Sequence, residues 1–213
     1  MIKAIVFDLD NTLIPWLEQF DQITKDSLKK CNLPNDDNTF HNFQNAMKSY
    51  ESTHIRFKKV EMSKYFAEYM KLPVPDDFLD IWTTNLYEAI PDQLNEDLVS
   101  LLEFLRKKYK LFVTTNWFTD QQVARLDNYG ILKYFEKVYG CDIYDRKPYS
   151  EMMELILKDY DFKEIVYVGD SYPIDVKFAM NLNIFAYYIT KTDKKRSVKF
   201  KVISDVCELR KYL

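Results

Sequence analysis

Carboxylates are the residues whose spacing could best support chemistry here, and they fall just after short apolar runs. Ala4 to Phe7 is followed by Asp8-Leu9-Asp10-Asn11-Thr12, and Ile165 to Val168 by Gly169-Asp170, with Asp175 further on. A third run, Leu111 to Thr114, leads into Thr115-Asn116, and Lys147-Pro148 precedes a helical stretch. Residues i and i+2 of an extended segment point to the same side, so Asp8 and Asp10 are expected to face one small ligand together. Like charges that close need a cation. Asp170, arriving from a neighbouring strand end, would complete a set of hard oxygen ligands suited to Mg²⁺ with retained waters. The expected metal ligands are then Asp8, Asp10 and Asp170, with Asp175 supporting them through hydrogen bonds or metal-bound water. Asp8 could attack phosphorus to form an acyl phosphate, while Asp10 protonates the leaving oxygen and later deprotonates the attacking water. Thr115 and Asn116 offer a hydroxyl and an amide for phosphate oxygens, and Lys147 offers a point positive charge.

Other chemistries have little material. His41 and His54 are the two histidines, close together in one helical-looking region, so neither a Ser-His-Asp arrangement nor a His-rich metal site is indicated. Cys31, Cys141 and Cys207 are odd in number and widely spread, with no CxxC pair. They read as reduced thiols of a cytoplasmic protein rather than a disulfide framework or a zinc site.

The elements that must position these groups follow from periodicity. Strand-like runs occur at Ala4 to Phe7, Leu111 to Thr114, Ile165 to Val168 and Ile184 to Ile189, with weaker ones near Val138 and at Val202 to Ile203. Between them, Leu94, Leu98, Leu101, Leu102 and Leu105 form one helical face, with Glu96 and Asp97 early and Lys107 and Lys108 late, as the helix dipole favours. Val123 and Leu126 mark a second helix stopping at Gly130, and Met153, Ile156, Leu157 and Tyr160 a third. Alternation of strands and helices predicts a doubly wound parallel α/β sheet, whose ligands bind beyond the carboxyl ends of the strands. Residues 16–90 break the alternation and read as an all-helical insertion between core segments 1–15 and 91–213. Pro15 and Pro91 punctuate its ends, and Pro73 with Pro75 marks a turn inside it.

Phe7-Asp8-Leu9-Asp10-Asn11-Thr12-Leu13, Thr115-Asn116, Lys147-Pro148 and Gly169-Asp170-Ser171 through Asp175 resemble, in order and spacing, the four motifs of the haloacid dehalogenase superfamily. The resemblance covers residues 1–14 and about 92–213. It implies a Rossmann-like core, Mg²⁺ dependence and an aspartyl-phosphate route to phosphate-ester hydrolysis. The insertion is placed like the helical cap of that superfamily's phosphoglycolate phosphatase-like branch. Two departures stand out: Ser150 where the family often has a second proline, and Asn181 where it often has a helix-closing glycine. Ser can start a helix and Asn tolerates the left-handed cap. A glycine directly before Asp170, in a chain with only three, suggests a backbone constraint.

A net charge of −3 gives no bulk positive field for nucleic acid or anionic membrane. No stretch approaches the ~20 apolar residues of a membrane span, so neither a signal peptide nor a transmembrane helix is expected. The expected partner is a small phosphorylated metabolite, handled by a monomer or homodimer. A dehalogenase attacking carbon, a phosphomutase and a non-catalytic binding module are the alternatives. Asp10 argues against the first, which has no alkoxide to protonate, and retention of Asp8, Asp10 and Lys147 argues against the last. Trp117 could line the pocket or simply pack. The run His54-Ile55-Arg56-Phe57-Lys58-Lys59 could hold a second anionic group of the substrate or form a solvated helix face, and Lys194, Lys195 and Arg196 read as a solvated loop.

Overall fold

Short runs rich in Val, Ile, Phe and Tyr suit a pleated, buried surface. They form six strands among the described residues: β1 (Ala4–Phe7), β2 (Lys110–Thr115), β3 (Lys137–Gly140), β4 (Ile165–Gly169), β5 (Phe185–Ile189) and β6 (Phe200–Ile203). All pair in parallel, in the order β3-β2-β1-β4-β5-β6. The computed structural model describes residues 1–16, 18–88, 95–192 and 197–213. Pro91, Leu94 and the basic trio Lys194, Lys195 and Arg196 lie outside the described residues.

The chain divides into two compact units, one of Met1–Pro15 with Asp92–Leu213 and the other of Trp16–Pro91. In the first, alternate strand residues face opposite layers. Ile5, Phe7, Leu111, Val113, Val166 and Val168 join one apolar cluster with Leu98, Leu101, Leu102 and Leu105. Those leucines are the buried stripe of a helix at Glu96–Arg106, capped by the Asn95 side chain accepting from Leu98 N at 3.1 Å. Burying each contributes roughly 2 kcal/mol. On the other face, Tyr167 meets Phe178 edge-on and Phe112 meets Tyr160. Strand connections therefore run outward in both directions from β1 and β4, and their carboxyl ends form the topological switch point where such sheets bind ligands.

Two local details differ from expectation. The helix at Glu151–Ile156 stops short of Tyr160, and Ser150 precedes it without capping it through its side chain, its hydroxyl bonding Glu154 instead. After the helix Lys177–Asn181 the left-handed residue is Asn183, φ 58°, not Asn181, because the chain makes one further turn before entering β5. Gly130, φ 66°, closes the helix Thr119–Asn128 as its position implied.

The second unit has four helices among the described residues: α1 (Phe20–Lys30), α2 (Asp37–Thr53), α3 (Lys59–Met70) and α4 (Phe78–Glu88). The first unit continues the series with α5 (Glu96–Arg106), α6 (Thr119–Asn128), α7 (Glu151–Ile156) and α8 (Lys177–Asn181). Asp36 caps α2 by accepting from Thr39 N at 2.9 Å. The second unit has its own core, in which Trp82 packs edge-on to Phe43 and stacks on Phe78, and its indole donates to Thr24 Oγ1 at 3.0 Å. Pro73 and Pro75 lie in the turn between α3 and α4. His54 ends α2 and residues 55–58 link it to α3, so the basic run is a loop rather than the helix face expected. Among the described residues no helix is long and apolar enough to cross a membrane.

Candidate active site

Asp8 is the first residue beyond β1. It continues the parity of Ala4 and Val6, so its side chain leaves the face of the sheet that holds Thr114 and Tyr167. The register, Phe7 opposite Val113 and Val168, brings Asp8 level with Thr114 and Gly169. Tyr167 shares a hydrogen bond of 2.8 Å with Thr114 Oγ1, and its hydroxyl donates to Asp175 Oδ1 at 3.3 Å. Asp175 is held from a second side, since its Oδ2 accepts from Ser171 N at 3.0 Å. A Cβ on Gly169 would sit 2.5 Å from the Asp175 Cβ. The glycine expected to mark a backbone constraint is therefore required for space rather than for an unusual φ.

Lys147 completes this arrangement. With only 1% of its surface exposed, its ammonium donates to Asp8 Oδ1 at 2.6 Å and to Asp175 Oδ1 at 2.7 Å. Burial alone would discharge it, but the carboxylates of Asp175 and Asp8 outweigh that and hold its pKa well above the ordinary lysine value. Asn116 fixes the lysine's main chain, its Nδ2 donating to Lys147 O at 3.0 Å and its Oδ1 accepting from Lys147 N at 2.7 Å. The carboxamide expected to bind phosphate is thus engaged at both ends as a brace for Lys147.

Asp8, Asp170 and Asp175 each offer a carboxylate oxygen, all within 4.8 Å of one another. Burial pushes the Asp8 carboxyl upward against the pull of Lys147, with Asp175 and Asp10 adding to the push. Burial likewise moves Asp170 up to about 6, helped by Asp175. Three clustered carboxylates against one ammonium leave a negative excess that a divalent cation would relieve, and the donor set is all hard oxygen. These residues fit Mg²⁺.

The Asp10 carboxylate is not in that cluster. The chain turns at once after β1, with Leu9 O accepting from Leu13 N and Ile14 N and with Asn11 at φ 58°, so the alternation of an extended strand does not reach Asp10. Its side chain instead meets α6, where Gln122 Nε2 donates to Oδ2 at 2.8 Å and Arg125 pairs with Oδ1. Gln122 Nε2 also donates to Thr115 Oγ1 at 2.9 Å, and Arg125 donates to Gln122 Oε1 at 2.8 Å. The two carboxylates expected to face one ion therefore have different partners, Asp8 lying in the cluster with Asp170 and Asp175 and Asp10 lying on the side chains of α6. Thr12 adds a hydroxyl that donates to Asp8 Oδ2 at 3.2 Å.

Gln122, Arg125, Tyr167 and Thr12 carry contacts that the motif reading missed. A signal existed for the first two: they are polar residues at i and i+3 on the stripe of α6 that also buries Leu126. Trp117 is buried, with its indole donating to Gln121 Oε1 at 3.3 Å, and the structure gives it a packing position.

A haloacid dehalogenase-like hydrolase family model matches residues 2–183. Among curated proteins, the glyceraldehyde 3-phosphate phosphatase of Methanocaldococcus jannaschii is 28% identical over 200 residues, spanning 90% of this chain and 86% of that one. Among solved structures, a putative hydrolase of the family from Bacillus subtilis, bound to magnesium, aligns with a TM-score of 0.76 at 18% identity, covering 100% of this chain and 98% of that one. The 2-haloacid dehalogenase of Pseudomonas syringae pv. Tomato aligns at 0.73 with 18% identity, covering 99% and 97%. One fold thus carries proteins of different names, so the fold alone does not fix the reaction and the side chains must. By the extent of the family match, this chain belongs to the haloacid dehalogenase-like hydrolases.

Proposed function

We propose that this hydrolase is a phosphatase that uses Mg²⁺ to cleave phosphate monoesters of small metabolites through an aspartyl-phosphate on Asp8. The observation that carries the reading is the pair of separately held carboxylates. Asp8 sits in the cluster with Lys147, while Asp10 lies beside it on its own partners. A carbon-attacking enzyme has no use for the second carboxyl group; an ester hydrolase needs it to protonate an alkoxide.

Asp8 Oδ attacks phosphorus as the bond to the ester oxygen breaks, and Asp10 gives that oxygen its proton. Asp10 then takes a proton from water attacking the acyl phosphate, which releases inorganic phosphate and restores Asp8. Two of the three N–H groups of Lys147 hold Asp8 and Asp175, leaving the third for a phosphate oxygen, and the hydroxyl proton of Thr115 serves another. Asp8 and Asp170 would hold the ion, with Asp175 behind them and the Asp10 carboxylate reserved for proton transfer. When bound, Mg²⁺ neutralises the carboxylates facing the incoming anion and stabilises charge on the transferring phosphoryl group.

The core groups recognise phosphate and metal alone, so selection among leaving groups falls to another part of the chain. We assign it to the helical unit Trp16–Pro91 acting as a cap, because the chain enters that unit soon after Asp10. The M. jannaschii relative makes a triose phosphate the first metabolite to try. The test is hydrolysis of p-nitrophenyl phosphate and of a metabolite panel including glyceraldehyde 3-phosphate, after EDTA treatment and again with Mg²⁺. Turnover that appears only with the metal is expected. Metal-independent turnover, or none on any monoester, would overturn the reading.

A further inference from the structure

The helix α6 spends two buried polar side chains on Asp10. Gln122 is 0% and Arg125 5% exposed, on the core-facing stripe that also buries Leu126. Burying a guanidinium where an aliphatic side chain would pack is costly unless it is paired, and apolar replacements of such pairs are often neutral or stabilising. Stability alone therefore gives little reason for this arrangement. Its endpoints are more informative. Arg125 reaches Asp10 Oδ1, Gln122 Oε1 and, at 3.5 Å, Pro15 O, while Gln122 Nε2 reaches Asp10 Oδ2 and Thr115 Oγ1. Each Asp10 oxygen accepts one of these bonds, and an ionised carboxylate has about four lone-pair sites in all. A site therefore remains on each oxygen where the proton to be donated can sit, so the group is aimed without being blocked.

We propose that Gln122 and Arg125 are positioning residues, a bracket on α6 that fixes the aim of the Asp10 carboxyl group for proton transfer to the leaving oxygen. The proposal rests on the acid role assigned to Asp10 under the proposed function. A well-placed general acid contributes about 10²–10⁴-fold, and that contribution falls steeply when the donor is misaimed. The bracket also links the ends of β1 and β2 through Thr115, which ties the proton donor to the strand end that meets phosphate.

The test compares kcat/KM for phenyl phosphate, whose strongly basic leaving oxygen needs a proton, with p-nitrophenyl phosphate, whose leaving group needs little help. Because kcat/KM reports only steps through transfer of the phosphoryl group to Asp8, the later base role of Asp10 does not enter. Asp10→Asn should depress phenyl phosphate far more than the nitrophenyl ester. Arg125→Met and Gln122→Met should move the ratio of the two esters in the same direction by about tenfold, with Arg125→Lys closer to wild type. A general packing defect would scale both esters alike. Should Arg125→Met fail to fold, Gln122→Met, nearly isosteric and uncharged, decides alone. If Asp10→Asn shifts the ratio while the folded bracket variants keep it at the wild-type value, the bracket is refuted and the acid role stands. If Asp10→Asn leaves the ratio unchanged, the acid role falls and the bracket falls with it.

Discussion

Asp8 and Lys147 form an ion pair at 2.6 Å in a place where neither could stay charged alone, and the pairing makes their removal informative in different ways. Asp8→Asn keeps the shape but replaces a carboxylate with an amide, a poor nucleophile. Turnover should fall by at least about a thousandfold, and borohydride trapping in the native enzyme should label Asp8. Label on another residue, or retained turnover, would remove Asp8 from the nucleophile's position. Asp170→Ala removes one of the two carboxylates assigned to the ion while leaving Lys147 with both partners. The Mg²⁺ concentration for half-maximal activity should rise at least about tenfold, and an unchanged requirement would exclude Asp170 as a ligand. Asp8 and Asp170 were legible as polar residues at strand ends and Lys147 as a charge just before a helix, and the structure gathers them. Gln122 and Arg125 escaped because their partner lies 112 and 115 residues away, and no local pattern announces a bond across that distance. Asn116 was legible as a site residue but not as a brace, since its role depends on where the Lys147 main chain runs.

Among the elements, the strands were the most legible, because buried parallel strands read as continuous apolar runs: β1, β2, β4 and β5 lie at such runs, while β3 and β6, each carrying a lysine, lie at the two weaker ones. Helix ends were less so. The end of α7 at Ile156 and the left-handed Asn183 are set by how the chain must turn toward the next strand, a tertiary demand that outweighs local preference. The end of β4 shows such a demand in a form that can be tested. Gly169 has the Asp175 side chain packed where its own Cβ would be, 2.5 Å from Cβ and Cγ, and Asp175 is fixed by Lys147, Ser171 and Tyr167. Gly169→Ala must push Asp175 away or shift β4. Overpacking of this kind costs about 1–3 kcal/mol, so the melting temperature should drop by several degrees. Displacing Asp175 also loosens Lys147 behind Asp8, so turnover should fall more than an equal loss of stability elsewhere would cause. An alanine variant with wild-type melting and turnover would show that the close approach is not a constraint.

For the whole molecule, charge and partition matter more than any one contact. With a net charge of −3 the protein has no overall field to draw an anionic ester, so substrate capture must come from local groups. Under the proposed function, Lys147 and the ion in the unit carrying Asp8 would answer the phosphate, and nothing assigned there distinguishes one leaving group from another. The helical unit has a separate aromatic core around Phe43 and Trp82, so its surface can vary without disturbing the sheet. Its presence was legible as a break in strand-helix alternation, but its basic run was misread as helical because residues 55–58 contain no Gly or Pro to announce the break between α2 and α3. That run is a loop with Arg56 and Lys58 exposed, Lys58 paired with Glu61 at 3.2 Å near the start of α3. Exposed pairs of this kind contribute little to stability, so the charge of Lys58 can be altered at small cost to folding. If the helical unit selects substrate through this loop, Arg56→Ala with Lys58→Ala should lower kcat/KM about tenfold for a metabolite with a second acidic group, such as 3-phosphoglycerate or phosphoglycolate. The same double variant should leave p-nitrophenyl phosphate nearly unchanged, since that ester has no second anion for the loop to meet. Equal losses on both would point to a folding defect, and no loss on either would remove the loop from substrate recognition. High salt gives an independent check, because an exposed basic loop acts through a screened field: at about 0.5 M salt the wild-type preference for the doubly acidic ester should shrink toward that of the variant.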